Sequence, residues 1–348
     1  MTGVSLLGPW PGTAVLEAQT SVLDRLGDTP TGVTALPSLV QMPQRGPWAD
    51  STGRAGAVLT EMPLEVGPHG WKLCDRPGRD LERARATLRE DLDALAVAAH
   101  GWTGPLVVAL RGPWSLAATC YLARGDRVLA DAGAARELTH SLADGLGDLL
   151  ARVRSAVPGA ELVLVLREPQ LPDVLSGAVA TFSGHGRLAA VDTDVARGAL
   201  RHVVSAARGA GAGSVVVHTG GRFARRSVKV AASSGADALG LALGPLRPPQ
   251  WETVAGVVEA GTRVWFALPR PRHGKTSDPS RTAAALRDPW RALGLPASGL
   301  ADVVVHVDTS SGVAGGDLVV TKPRAVRAAL DDGVRVALEL AEAAMMGR

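Results

Sequence analysis

Short apolar runs alternate along this chain with longer amphipathic stretches. Eight runs stand out: Val4–Trp10, Pro63–Val66, Pro105–Leu110, Leu162–Leu166, Ser214–His218, Ala238–Leu243, Val264–Leu268 and Val303–Val307. Each is rich in Val and Leu and shows little polar alternation, the pattern of a strand buried on both faces. Helical spacing of apolar residues predicts helices over Ala14–Leu26, Asp80–Ala99, Ala132–Val157, Asp192–Arg208, Trp251–Ala260, Thr282–Leu293 and Pro323–Met346. Two further connections are short or broken. Eight strand–helix units predict an α/β fold, a (β/α)8 barrel, whose chemistry sits at the carboxyl ends of its strands. Residues 27–62 carry breakers such as Thr29-Pro30-Thr31-Gly32 and Pro43-Gln44-Arg45-Gly46-Pro47, and are expected to be an irregular insertion in one domain spanning 1–348.

Composition narrows the function classes. The chain has 348 residues, 46% hydrophobic and 20% charged, the balance of a folded soluble protein. It contains no Asn or Ile, a compositional bias without a structural message. A formal charge of +3, three Phe and one Tyr give no basic, aromatic footprint for nucleic acid. Cys74 and Cys120 form no CxxC pair, which suits a reduced cytoplasmic setting. The N-terminus lacks a basic segment followed by an apolar core, so no secretory signal is expected. No apolar run approaches the roughly 18 residues needed to cross a bilayer.

Candidate chemistry gathers where the runs stop. Leu7-Gly8-Pro9-Trp10-Pro11-Gly12-Thr13 turns sharply, and a glycine there lets a ligand approach the main chain. Gly112-Pro113-Trp114-Ser115 ends the third run and opens a helix, with Trp114 either a pocket wall or a cap on the core. Arg167-Glu168-Pro169 puts a carboxylate directly after the fourth run, as a preorganised acid, base or anchor, or as half of a structural Arg167–Glu168 pair. His218 closes the fifth run, and His306 and Asp308 share one face of the eighth. His218, His306, Asp308 and Glu168 together form a possible alternative metal set for zinc or iron. Arg222, Arg225, Arg226 and Lys229 fall at helical spacing after the fifth run, and Arg270, Arg272, His273, Lys275 and Arg281 follow the seventh. Those basic residues read as an anion clamp or as a solvated face. Gly274-Lys275-Thr276 resembles the end of a P-loop, but Pro269 stands where its first glycine is needed.

Taken in order, these segments resemble the catalytic C-terminal barrel of cobalamin-independent methionine synthase, and the short actinobacterial proteins built like that barrel alone. The likeness covers most of the chain. Leu7–Thr13 is similar to the family's isoleucine-glycine-serine-(aromatic)-proline-x-threonine segment, and Gly112–Ser115 to its Gly-Pro-x-Thr turn. Arg167-Glu168-Pro169 stands at its Asp-Glu-Pro and Val217–Gly220 at its His-x-Cys metal motif. Ala236–Ala242 resembles the strand bearing its glutamate ligand, and Ser310–Gly315 its Thr-Cys-Gly-Leu-Ala-Gly segment. Gly70-Trp71-Lys72-Leu73 and Gly78-Arg79-Asp80-Leu81 are similar to the short proteins.

The resemblance implies methyl transfer from a folate-type donor to a thiol such as homocysteine, in methionine biosynthesis. It implies a zinc ion that holds the sulfur as a thiolate. Glu168 is then expected to orient the substrate amine and His218 to line the sulfur site. Gly8, Trp10, Trp114 and Ser115 are expected to contact substrate. Three of the four zinc ligands are absent, with Gly220, Ala242 and Ser311 at their positions, and only His218 remains. Arg167 replaces an acidic residue expected to meet the substrate amine. One histidine does not hold a catalytic zinc, which takes three protein ligands and an open position. The alternatives are a zinc-less ligand-binding or scaffolding protein, or a metal-free enzyme on the same barrel. The implied partners are small molecules, with no nucleic acid and no membrane.

Overall fold

The computed structural model describes residues 1–244, 246–269, 277–311, 316–319 and 322–347. Its strands are β1 (Thr2–Leu6), β2 (Val33–Leu36), β3 (Leu64–Gly67), β4 (Gly70–Leu73), β5 (Gly104–Arg111), β6 (Ala160–Arg167), β7 (Ser214–His218), β8 (Ala238–Ala242), β9 (Arg263–Ala267), β10 (Val304–Val307), β11 (Ser310–Ser311) and β12 (Gly316–Val319). Eight of them form one sheet in the order β2-β1-β10-β9-β8-β7-β6-β5, with every neighbouring pair parallel. A parallel bridge from Ser38 to Val107, with Leu39 N–H donating to the Val107 carbonyl at 2.9 Å, links the two ends of that order. The fold is a (β/α)8 barrel with helices around it.

Strand alternation sorts the apolar residues into two cores. Leu7, Leu36, Val107, Ala109, Val163, Val165, Val216, Ala238 and Trp265 pack together inside the barrel. Leu106, Val108, Leu110, Leu162, Leu164, Leu166, Val215 and Val217 point outward and join the helices in a second, larger core. Burial on both faces is why the longer strands read as unbroken apolar runs. All seven expected helices are present, at Val15–Leu26, Arg79–Ala98, Ala132–Ala156, Thr193–Gly209, Pro248–Glu259, Pro279–Ala292 and Pro323–Met346. Asp131 and Asp192 cap two of them by accepting hydrogen bonds from first-turn amides. The short connections carry Pro113–Thr119, Leu171–Ser176 and Arg225–Ala232.

The second strand is not where the hydropathy placed it. Pro63–Val66 contributes to β3, which pairs antiparallel with β4 in a hairpin outside the barrel. The second barrel strand is β2, inside the segment expected to be irregular. β2 is only four residues long, and its Thr34 and Ala35 are half-buried, so it leaves no apolar run to read. The 27–62 stretch also holds the buried helix Ser51–Val58, whose N-terminus is capped by the Asp50 carboxylate. Cys74 and Cys120 are both free thiols. Cys120 ends the helix Pro113–Thr119, and burial pushes its thiol up to about 12, so it packs as a small apolar group. Among the described residues no helix is long and apolar enough to cross a membrane.

Candidate functional site at the barrel mouth

The carboxyl ends of β6, β7 and β10 bring polar side chains to the barrel mouth. Val163 and Val165 face inward on β6, so alternation sends Arg167 inward as well. Arg167 is in register with His218 on β7, and His306 lies one residue before the end of β10. His218 and His306 meet across the interior, with Nε2 atoms 3.1 Å apart and rings edge-to-face at 78°. The strands between them make room. His218 is in register with Gly240 on β8, and His306 with Ala267 on β9. A methyl group on Gly240 would lie 2.3 Å from His218 Cδ2.

Hydrogen bonding fixes the protons of this pair. The Gly220 amide donates to His218 Nδ1 at 3.1 Å, so the His218 proton is assigned to Nε2. That N–H donates to His306 Nε2, which puts the His306 proton on Nδ1. The His306 Nδ1 is buried and has no partner among the described residues. Burial lowers the His218 pKa to about 4, helped by the nearby Arg167 charge, and pushes His306 well below its usual value. Both imidazoles are therefore neutral at pH 7.

Above the pair, Arg167 Nη2 donates to Asp308 Oδ2 at 2.6 Å, and Arg167 Nη1 donates to the Leu7 carbonyl. Asp308 Oδ1 accepts from the Ser310 amide at 2.9 Å and the Ser310 hydroxyl at 2.6 Å. Burial opposes ionisation of Asp308, but the Arg167 guanidinium and the Ser310 hydrogen bonds outweigh it and hold the carboxyl well below the usual carboxylate range. A cavity of about 190 Å³ opens here, lined by Arg167, His218, Asp308, Ser310, the Gly220–Gly221 turn, Ala242 and Ala267 among others.

Several residues expected at this mouth, Gly8, Trp10, Trp114, Ser115 and Glu168, are not among the cavity's lining residues. Glu168 is fully buried, and its carboxylate accepts from the amides of Trp114 at 3.0 Å and Ser115 at 2.7 Å. It tucks against Gly112, where a Cβ would sit 2.4 Å from Oε1. The alternation that turns Arg167 inward turns Glu168 outward, so it positions the helix Pro113–Thr119 and is not among the cavity's lining residues. Ser115 belongs to the same knot, its hydroxyl accepting from the Gln170 amide at 3.0 Å. The Trp114 indole donates to the Ala196 carbonyl at 2.9 Å and packs in the outer core. Trp10 is buried in that core too. Gly8 serves a close crossing of loops, since a Cβ there would lie 2.1 Å from Thr309 N.

The implied zinc ion does not fit the residues present. Gly220 and Ala242 line the cavity but offer no side-chain donor, and Ser311 lies in β11 with its side chain outside the described part. The one remaining ligand, His218, has a proton on Nε2 and its Nδ1 lone pair engaged by Gly220. Among the described residues, no group of three His, Cys, Asp or Glu side chains is arranged to hold a metal, and of the alternative set His218, His306, Asp308 and Glu168, Glu168 does not line the cavity that His218 and Asp308 line. The backbone at 220 has a left-handed φ of +83°, and a Cβ would lie 2.7 Å from Pro169 Cα. Gly220→Cys is therefore expected to cost about 1–2 kcal/mol without gaining zinc. Denaturant melts with and without zinc check this, and a zinc-dependent rise in midpoint is the contrary result.

The basic residues divide. Arg222 pairs with Asp173, Arg226 donates to the Leu175 carbonyl at 2.9 Å, and Arg225 and Lys229 are exposed. Arg281 opens the helix Pro279–Ala292 at its surface. Arg270, Arg272, His273 and Lys275, with the Gly274–Thr276 string, lie outside the described residues. Sequence reading missed the Arg167–Asp308 pair and the His218–His306 contact. The signal for the first was the inward parity of 163, 165 and 167.

No protein-family model matches this sequence, and no curated protein matches it. Solved structures do. A B12-independent methionine synthase from Shewanella sp. W3-18-1, determined in complex with selenomethionine, superposes with a TM-score of 0.60 at 11% identity, covering 99% of this chain and 98% of that one. A β-galactosidase from Marinomonas ef1 gives 0.49 at 13% identity, covering 97% and 59%. A tryptophan synthase α-subunit from Pyrococcus furiosus gives 0.44 at 12% identity, covering 97% and 98%. At these identities the likeness is one of fold, and over its full length this chain folds as a methionine-synthase-like (β/α)8 barrel.

Proposed function

We propose that this barrel binds a small polar molecule at its carboxyl-end mouth, and that it does so without zinc. Methyl transfer from a folate-type donor to homocysteine is what the resemblance implies. That reaction draws on a zinc ion to hold the thiol as a thiolate at neutral pH. The donor set among the described residues does not suit that ion. The observation that carries the zinc-independent reading is the engagement of both His218 nitrogens, by Gly220 and by His306, within a mouth where positions 220 and 242 bear no donor.

What remains is a largely apolar cavity with a cluster of polar side chains on one side, suited to binding and orientation. The Arg167–Asp308 pair fixes one wall, and the neutral imidazoles add no charge beneath it. Its volume of about 190 Å³ lies below the range of roughly 300–1,000 Å³ usual for drug-sized ligands, and fits a molecule of amino-acid size. The selenomethionine held by the Shewanella enzyme is of that size class.

A ligand that binds only the native state raises the melting temperature, with about 2.7 kcal/mol of stabilisation at a hundredfold excess over Kd. A thermal-shift series of methionine, homocysteine, their deaminated acids and methylfolate, run in chelator, tests this reading. A shift that survives chelator supports it. Shifts that appear only when zinc is restored overturn it.

A further inference from the structure

Resting on the zinc-independent reading above, we propose that the mouth takes a small carboxylate and that Arg167 is its anchor. Among the described residues, four polar side chains line the cavity, and three have their groups engaged. Asp308 accepts from Arg167 on one oxygen and from the Ser310 amide and hydroxyl on the other. His218 has both ring nitrogens engaged. The Ser310 hydroxyl spends its proton on Asp308.

Arg167 is different. A guanidinium carries five N–H donors in a planar fork. One Arg167 donor goes to Asp308 and one to the Leu7 carbonyl, and the remaining three have no partner among the described residues. The side chain is only 12% exposed and lines the cavity. Among the described lining side chains, the unused donors thus belong to Arg167 and are attached to a positive charge.

Ligand polarity follows. A carboxylate meets charge-assisted donors, which bind about twice as strongly as neutral ones. An ammonium group finds the Asp308 oxygens occupied and a guanidinium at 2.6 Å from them, a like-charge neighbour. Where the resemblance implies an acidic residue meeting a substrate amine, this chain has a cation, so the recognised charge is reversed. The Gly220–Gly221 turn, without side chains, leaves room for a ligand beside the fork.

Calorimetric titrations of pentanoate, glutarate, pentanamide and pentylamine into the intact protein, run in chelator and repeated with added zinc, test the assignment. Wild type is expected to bind the acids about tenfold or more tighter than the amide, the worth of one charged hydrogen bond, and to bind the amine least. Arg167→Met should erase the acid preference. If that variant does not fold, Arg167→Lys keeps the charge beside Asp308 and should lower acid affinity severalfold by losing the fork. Amine binding equal to acid binding overturns the proposal. So does an unchanged acid affinity in the Arg167 variants, or no acid binding either in chelator or with zinc. Acid selectivity that requires added zinc sinks the zinc-independent reading itself, whereas amine preference in chelator sinks only the carboxylate assignment.

Discussion

Glu168→Gln is expected to lose roughly 3 kcal/mol more stability than the wild type as pH falls from 7 to 4.5. Burial raises the Glu168 pKa from 4.5 to about 7, against the pull of the Ser115 and Trp114 hydrogen bonds. A carboxyl whose folded-state pKa is raised stabilises the fold fully below its unfolded value and loses that contribution as pH rises through the folded one. In the wild type, acidification from 7 to 4.5 therefore adds stability through Glu168. The buried histidines act oppositely. Their folded pKa values are lowered, so the unfolded chain takes up protons first and stability falls as pH drops below 6.5, for His218 until about 4. The two effects offset each other in the wild type, and the glutamine variant exposes the histidine slope. Urea melts of both proteins at several pH values measure it. Parallel curves would mean that the Glu168 carboxyl titrates as an ordinary one.

Gly8→Ala is expected to cost about 3 kcal/mol, at the upper end for overpacking. Its methyl group would sit 2.1 Å from the backbone nitrogen of Thr309 and 2.6 Å from Thr309 Oγ1. Backbone cannot rotate away as a flexible side chain can. The crossing is also tied, since the Thr309 hydroxyl donates to the Pro9 carbonyl and the Leu7 amide to the Val307 carbonyl at 3.0 Å. Relief requires the loops after β1 and β10 to part, which moves Asp308 and with it Arg167. Gly12→Ala is the control. Gly12 has a left-handed φ of +95° but nothing within 4 Å of its Cβ position, so only the conformational cost of about 1 kcal/mol applies. Equal melting shifts for the two variants would contradict this packing account.

Much of the architecture was legible in the sequence because burial leaves a period. Strands buried on both faces appear as Val/Leu runs, and long helices as a stripe such as Leu138, Leu142, Leu146 and Leu149. β2 was not legible, since four residues with two half-buried positions carry too little pattern, while the hairpin strand β3 imitates a barrel strand. The mouth was legible as a place but not as an arrangement. A residue at a strand end is easily found, but its inward or outward sense depends on counting parity from the barrel core. One step separates Arg167, which faces the cavity, from Glu168, which holds a helix. The His218–His306 contact spans two intervening strands and exists because Gly240 and Ala267 leave space between the rings. Nothing local to either histidine announces that.

The chain thus folds as a methionine-synthase-like (β/α)8 barrel whose mouth carries a neutral imidazole pair and an arginine–aspartate pair. The most direct test is the zinc stoichiometry of the folded protein by native mass spectrometry, after equilibration with excess zinc at neutral pH and removal of the free ion. Substoichiometric zinc, unchanged in a His218→Gln variant, is the predicted result. One tightly held zinc per chain, lost when His218 is replaced, would contradict the account.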